Sequence, residues 1–425
     1  MADFRPFRGI RYNPRSAGPL DSLICPPYDV ISPSLEEELI SRNQYNMVRL
    51  ELAESDDYEN PDRYSSAANY YRHWLKEQIL IRDKEPGYYL LRHEFTFQGN
   101  VLERYGLLGS LKLEALGSGV LPHENTAPGP KQDRLSLMQA CQANFSPIMG
   151  LVEDEKGIFK SMRAQVLKSP PDAQFKDSEG HDYSLWRIVD PIQISAIQQS
   201  LQSQPIYIAD GHHRYETAIA YREQSGDSAA DYVMMSLTTF DDSGLLLLPY
   251  HRILKELPPP LFVQVRDRIQ QLFFTQKTEM DLSSYDPIER LLAKEGANHP
   301  TVILVGPGGE GPFLLTVGNN ELVERYLKDQ PVTSLKDIDS WLLESIVLNP
   351  VMGTELPKYV DYIHDGQDAL NKVLSRQAHM ALFLRAVPMD LFQQIVGAGI
   401  RLPRKSTYFY PKLPSGIVIN SLSSV

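Results

Sequence analysis

The chain has 425 residues, 42% of them hydrophobic and 23% charged, and a formal net charge of −12. That length exceeds one small core and sets an expectation of two or three domains, while the acidic balance argues against nucleic-acid binding, which calls for a basic face. Only Cys25 and Cys141 are present, too few for a disulfide framework, so a reducing, cytoplasmic setting is expected.

The first residues, MADFRPFRGI, contain no apolar segment of the signal-peptide kind. No run approaches the ~18 apolar residues of a spanning helix, and the densest, 245–248, is strand-sized. Residues 4–10 read as a short strand that leads into Pro26-Pro27-Tyr28-Asp29-Val30-Ile31-Ser32. The proline pair fixes an extended backbone and holds Tyr28 and Asp29 on a rigid loop. Ser34 is placed to cap the helix that follows, with Glu36, Glu37 and Glu38 in its first turn.

Residues 43–52 read as a turn passing into a strand, 55–62 as an acidic solvated loop, and 61–82 as an amphipathic helix with an aromatic core stripe. Strands at 88–97 and 103–113 flank Gln98-Gly99-Asn100, a hairpin signal. A His123-Glu124-Asn125-Thr126 box follows, then Lys131, Asp133 and Arg134, with a helix expected from Asp133 and a strand at 147–152. Residues 153–182 read as a charged, irregular linker or excursion. A strand at 183–189 and a helix at 192–201 come next.

The stretch 205–222, PIYIADGHHRYETAIAYR, switches period from a buried-strand run at 206–209 to helical spacing from Tyr215 onward. Between the two lies Asp210-Gly211-His212-His213-Arg214. A helix N-terminus offers unpaired N–H groups to an anion. Gly211 permits positive φ and close approach, and the fork of Arg214 suits two phosphate oxygens. His212 and His213 can donate or move protons near neutral pH, and Asp210 can act as a base or bind a metal. In the HENT box His123 or Glu124 reads as an acid/base group, with Lys131 and Arg134 neutralising phosphate charge. Tyr28, Asp29, His251 and Arg252 form a second tier of candidates.

Beyond the turn, strands at 231–239 and 245–254 precede the triple proline 258–260, which marks a boundary. Strands at 301–306, 313–317 and 381–385 then mix with helices at 260–273 and 337–347, an α+β pattern. The glycine-rich 306–311 reads as a hairpin loop. Residues 403–412 are basic and aromatic.

ADGHHRYETA resembles the signature of the domain of unknown function 1015 family, and the proline box and HENT box extend that resemblance along the chain. The family is related to the ParB/sulfiredoxin-like fold, and free serine kinases carry a similar Asp-Gly-His-His-Arg turn. The resemblance implies α/β plus α+β architecture: a ParB/sulfiredoxin-like core with an additional C-terminal α+β domain. The core would combine 1–155 and 180–257, with 258–425 as the further domain.

The activity implied is a nucleotide-dependent phosphotransferase acting on a small hydroxyl metabolite, serine first. The alternatives are a non-catalytic nucleotide-binding regulator and a phosphoester hydrolase. ATP or ADP with magnesium, the metal held by Asp210 or Glu124, is the implied cofactor. The partners are nucleotide and small molecule, without nucleic acid or membrane. Neither zinc nor haem is expected: His212 and His213 are adjacent, and HExxH and CxxC are lacking. Walker A and Gly-x-Ser-x-Gly motifs are lacking too.

Overall fold

The computed structural model describes residues 2–53, 63–202 and 204–423, so the acidic loop expected at 55–62 lies outside the described residues. Two compact units are formed. The first comprises Met1–Pro122, Thr126–Leu245 and Pro411–Val425, and the second His123–Asn125 and Leu246–Tyr410.

A nine-stranded mixed sheet organises the first unit. Its strands are β1 (Phe4–Arg5), β2 (Tyr88–Phe97), β3 (Asn100–Lys112), β4 (Val120–Leu121), β5 (Ile148–Val152), β6 (Ala173–Lys176), β7 (Asp182–Ile188), β8 (Ile206–Asp210) and β9 (Tyr232–Thr239). They run in the order β4-β8-β5-β9-β3-β2-β7-β6, with β1 paired to β3. Segments 88–152 and 173–239 thus contribute strands to one sheet. Two positive-φ residues, Gln98 and Gly99, turn the β2–β3 hairpin as its sequence signal requires. Parallel pairs occur at β4–β8 and β5–β9, and every other pairing is antiparallel.

The unit's helices are α1 (Pro33–Arg42), α2 (Arg63–Lys76), α3 (Pro128–Cys141), α4 (Ile158–Val166), α5 (Pro191–Leu201) and α6 (His212–Ser225). Met138 of α3, Phe159 of α4, Leu201 of α5 and Tyr215 of α6 join Leu107, Ile148 and Ile206 of the sheet in one core. A second cluster gathers Ile10, Trp74, Cys141, Phe145 and Ile419, so the last segment of the chain is part of this unit's interior.

Several local expectations are corrected. Ser32, not Ser34, caps α1 by accepting from Leu35 N, and Pro33 takes the first helical position, where its missing N–H costs nothing. The strand expected toward Leu52 is a π-helical turn, Arg49–Ala53. Buried Asn46 starts it by accepting from Val48 N at 3.0 Å while donating to Ser22 O at 2.8 Å, a local turn that overrides the apolar pattern.

The long helix expected at 61–82 ends at Lys76, because Gln78 adopts φ 56 and Ile79 N closes back on Trp74 O at 2.9 Å. Helix α3 starts at Pro128 rather than Asp133, with proline again serving the first turn. The region expected to be irregular at 153–182 supplies α4 and β6.

The second unit carries a six-stranded antiparallel sheet. Its order is Phe273–Lys277, Phe313–Val317, Thr301–Val305, Met380–Leu384, His251–Leu254 and Val360–Ile363. Ile253, Ile303, Leu370 and Phe383 lie in its core. Residues 306–311 connect two paired strands, as the glycine-rich pattern predicts. The change of unit falls at Leu246 rather than at the triple proline, since Leu246–Leu248 pairs with Tyr408–Tyr410. The helix expected at 337–347 is a 3-10 turn, a short α-helical turn and the π-helix Leu342–Leu348 in succession. The fold class is mixed α/β. Among the described residues, no helix is long and apolar enough to cross a membrane.

Candidate functional site

Strand β8 reads Ile-Tyr-Ile-Ala-Asp, and its first four residues are buried. Its register against β5 shifts between Ile208 and Asp210, so a bulge at Ala209 re-aims the last residue of the strand. Gly211 follows at φ 97, a backbone that side chains other than glycine rarely adopt, and helix α6 opens at His212 with no side-chain cap on its first turn. The guanidinium of Arg214 folds back over the turn. A Cβ at position 211 would stand 3.0–3.1 Å from it.

Arg214 donates from Nη2 to Asp210 Oδ2 at 2.7 Å and from Nη1 to Pro147 O at 2.5 Å. The other carboxylate oxygen, Asp210 Oδ1, accepts from Lys412 Nζ. All three side chains are largely buried, at 12%, 19% and 13% exposed for Arg214, Asp210 and Lys412. Burial by itself would raise the Asp210 pKa. The charges of Lys412 and Arg214, reinforced by the Lys412 hydrogen bond, instead hold the carboxyl far below its usual range. Lys412 was only one residue of a basic, aromatic run in the sequence, 202 positions away from its partner.

The segment bearing Lys412 is fixed from beneath. Arg104, 2% exposed, donates to Pro411 O at 2.6 Å, and its Nη2 also lies 3.3 Å from His93 Nδ1. Farther along, Cys25 and Ser415 exchange backbone hydrogen bonds, Gly416 N donates to Phe145 O, and Asn420–Ser421 pairs with Ala143–Asn144.

Helices α3 and α6 lie side by side in parallel, linked by hydrogen bonds along their length. His213 Nε2 accepts from Ala127 N at 2.9 Å, Glu216 Oε2 receives Lys131 Nζ at 2.9 Å and the Thr126 hydroxyl at 2.6 Å, and Gln139 donates to Gln224 at 2.6 Å. His213 thus spends Nε2 on the start of α3, and Lys131 is paired. His212 is 3% exposed and adds to the positive field on Asp210.

Arg134 and Arg214 line one small cavity of about 40 Å³ with Glu51, Asn144 and Ser146. The donors of Arg134 are committed: Nε to Asp133, Nη1 to Glu51 Oε2 and Nη2 to Glu51 O. Tyr28 packs under the Arg134 guanidinium at 4.1 Å. Burial pushes the Tyr28 hydroxyl up to about 12, helped by Asp29 and opposed by Arg134 and Arg214. Asp29 itself is exposed. Tyr28, Arg134, Asp210 and Arg214 therefore belong to one neighbourhood of the first unit.

The remaining candidates lie in the second unit. His123 is buried, with Nε2 2.7 Å from Thr407 Oγ1, and Glu124 accepts from Lys405 N at 3.3 Å. His251 Nδ1 accepts from Leu384 N at 3.2 Å. Arg252, wholly buried, forms an ion pair with Glu344 at 2.5 Å, which makes it a structural residue of that sheet.

Among the described residues, one cluster has the spacing of a metal site: His93, Asp177 and His181, with candidate ligand atoms within 4.8 Å of one another. The expectation about zinc rests on the adjacent pair in the turn and on the lack of HExxH and CxxC, and does not address this cluster. His93 Nε2 is 3.2 Å from His181 Nδ1. Arginine can only donate, so His93 Nδ1 accepts from Arg104, while His181 Nδ1 lies 3.2 Å from Asp177 Oδ2. His93, His181 and Asp177 are thus joined to one another by hydrogen bonds. Burial, then Arg104 and His181, push the His93 pKa down. For magnesium, both Asp210 oxygens face cations, so Asp210 does not fit direct metal ligation in this arrangement.

These features define a mixed α/β protein with a charged strand–turn–helix site on its large sheet. The chain belongs to the family described as "Protein of unknown function (DUF1015)", matched over residues 4–340. Among solved structures it is similar to a conserved hypothetical protein from Pyrococcus furiosus, at 13% identity and TM-score 0.36 over 71% of this chain and 91% of that one. It is also similar to a mutant free serine kinase in complex with AMP, at 13% identity and TM-score 0.36 over 70% and 89%. A third is SbnI with a C-terminal truncation from Staphylococcus aureus, at 10% identity and TM-score 0.37 over 72% and 84%. No curated protein matches the chain.

Proposed function

We propose that this protein binds a nucleotide at the 210–214 turn and transfers a phosphoryl group between it and a small hydroxyl compound. The observation that carries the reading is Gly211 at φ 97, opening α6 with no side-chain cap while Arg214 folds over the turn. Backbone N–H groups and a forked cation then converge where a phosphate would sit. Serine is the first candidate acceptor, because the Asp-Gly-His-His-Arg turn resembles that of the free serine kinases. The ParB/sulfiredoxin-like assignment of this unit rests on the same turn.

In this reading Gly211 and the first turn of α6 bind the phosphates, and Arg214 stabilises the charge that develops during transfer. A carboxylate held far below its usual range is a poor proton acceptor. Asp210 therefore acts by organising the cations. The same observation favours a second reading, a nucleotide-responsive protein without turnover. The test is a thermal-shift screen of ATP, ADP, CTP and phosphoserine, with and without magnesium. A ligand at 100 times its Kd should stabilise by about 2.7 kcal/mol. No shift with any nucleotide ends the proposal, and a nucleotide shift without phosphoryl transfer to serine or a similar hydroxyl compound selects the second reading.

A further inference from the structure

We propose that Lys412 is the residue that gives the Asp210–Arg214 turn its net positive charge, making it the second phosphate-contacting cation of the site. The inference rests on the nucleotide-binding reading above.

Asp210 and Arg214 form a one-to-one ion pair, so the full charges of these two side chains cancel. A neutral ion pair adds little to the attraction that the helix N-terminus itself offers a phosphate. Lys412 meets the free side of the same carboxylate and leaves the trio one charge positive. When a polyphosphate arrives, the ammonium and the guanidinium can contact phosphate oxygens while each keeps its bond to an Asp210 oxygen, so the carboxylate stays paired.

The placement of Lys412 is built, not incidental. Its ammonium is delivered by a segment pinned at Pro411 O by the buried guanidinium of Arg104 and at Ser415 by backbone bonds to Cys25. An exposed surface pair contributes little to stability and needs no such support. Lys412 at 13% exposure is held in one position, with its ammonium on the carboxylate of the turn.

The test is calorimetric titration of ATP, and separately of inorganic pyrophosphate, into the full-length protein. Wild type is compared with Lys412→Met, Lys412→Arg, Asp210→Asn and the double variant Lys412→Met/Asp210→Asn, with thermal unfolding as the check on folding. Lys412→Met should weaken both ligands by about tenfold or more, and Lys412→Arg should stay within about threefold of wild type. The double variant should recover most of the lost affinity, because removing the carboxylate restores a net charge of one. A lysine that only pairs Asp210 would leave the double variant as tight as Asp210→Asn, whereas a phosphate-contacting lysine leaves it weaker. Lys412→Met binding both ligands as tightly as wild type overturns the proposal, as does a double variant no better than Lys412→Met. Wild type that binds pyrophosphate but not ATP ends the nucleotide reading and leaves Lys412 judged on the pyrophosphate arm. Wild type that binds neither overturns both.

Discussion

Arg104 donates to the carbonyl of Pro411, 307 residues away in sequence, at 2.6 Å. A fully buried guanidinium is costly to hold unless its donors are met, so this contact fixes the backbone immediately before Lys412. Arg104→Lys keeps the charge but loses the guanidinium Nη2 that meets both Pro411 O and His93 Nδ1. ATP affinity should fall by about the same factor as in Lys412→Met, about tenfold, since one change removes the ammonium and the other loosens the segment that delivers it to Asp210. Lower thermal stability with unchanged ATP affinity would assign Arg104 to structure alone.

Two glycines of α6 separate strain from site. Gly211 precedes the helix at φ 97 and Gly226 follows it at φ 68. A Cβ at Gly226 would meet open space, whereas one at Gly211 would press on the Arg214 guanidinium. Each change to alanine should cost about 1–2 kcal/mol of stability from positive φ. Only Gly211→Ala should also weaken ATP binding, measured by titration at a temperature where both variants are folded. Equal affinities in the two variants would mean that the turn does not touch the ligand.

The parts of this structure that were legible in the sequence are those whose causes are local. The apolar run at 206–209, the glycine and the following helical spacing announce a strand, a turn and a helix, and β8, Gly211 and α6 realise them in that order. The 98–100 hairpin was legible for the same reason. Lys412 and Arg104 were not, because partners 202 and 307 residues apart leave no periodic trace in the chain. The residue types of His213 and Arg134 do not announce their partners within this chain. Their nitrogens are spent on Ala127 N and on Glu51 and Asp133, commitments visible only once α3 lies beside α6 and the turn at Arg49–Ala53 has formed. The strand expected near Leu52 failed because one buried side chain, Asn46, bonded to its own backbone.

His251 predicts an acid-sensitive second unit. Burial, then the charges of Arg252 and His364, lower its pKa from 6.5 to about 3. Its folded value lies below the unfolded one, so the unfolded chain binds more protons between those limits. The associated stability is complete above pH 6.5 and is lost as the pH falls toward 3, at up to about 1.4 kcal/mol per pH unit. His251→Asn keeps an acceptor for Leu384 N and removes the titration. Urea melts of wild type and variant should differ most near pH 7 and progressively less toward pH 4. A difference that does not change with pH would contradict this account.

The central claim is that the 210–214 turn binds nucleotide phosphate through Arg214. It is tested most directly by titrating ATP into Arg214→Ala beside wild type, both shown to be folded. Asp210 keeps Lys412 as a partner in that variant, so its carboxylate is not left buried alone. The account predicts a loss of affinity on the order of tenfold to a hundredfold, the scale of a lost bidentate, charge-assisted contact. Binding within about twofold of wild type would place the nucleotide elsewhere and contradict the claim.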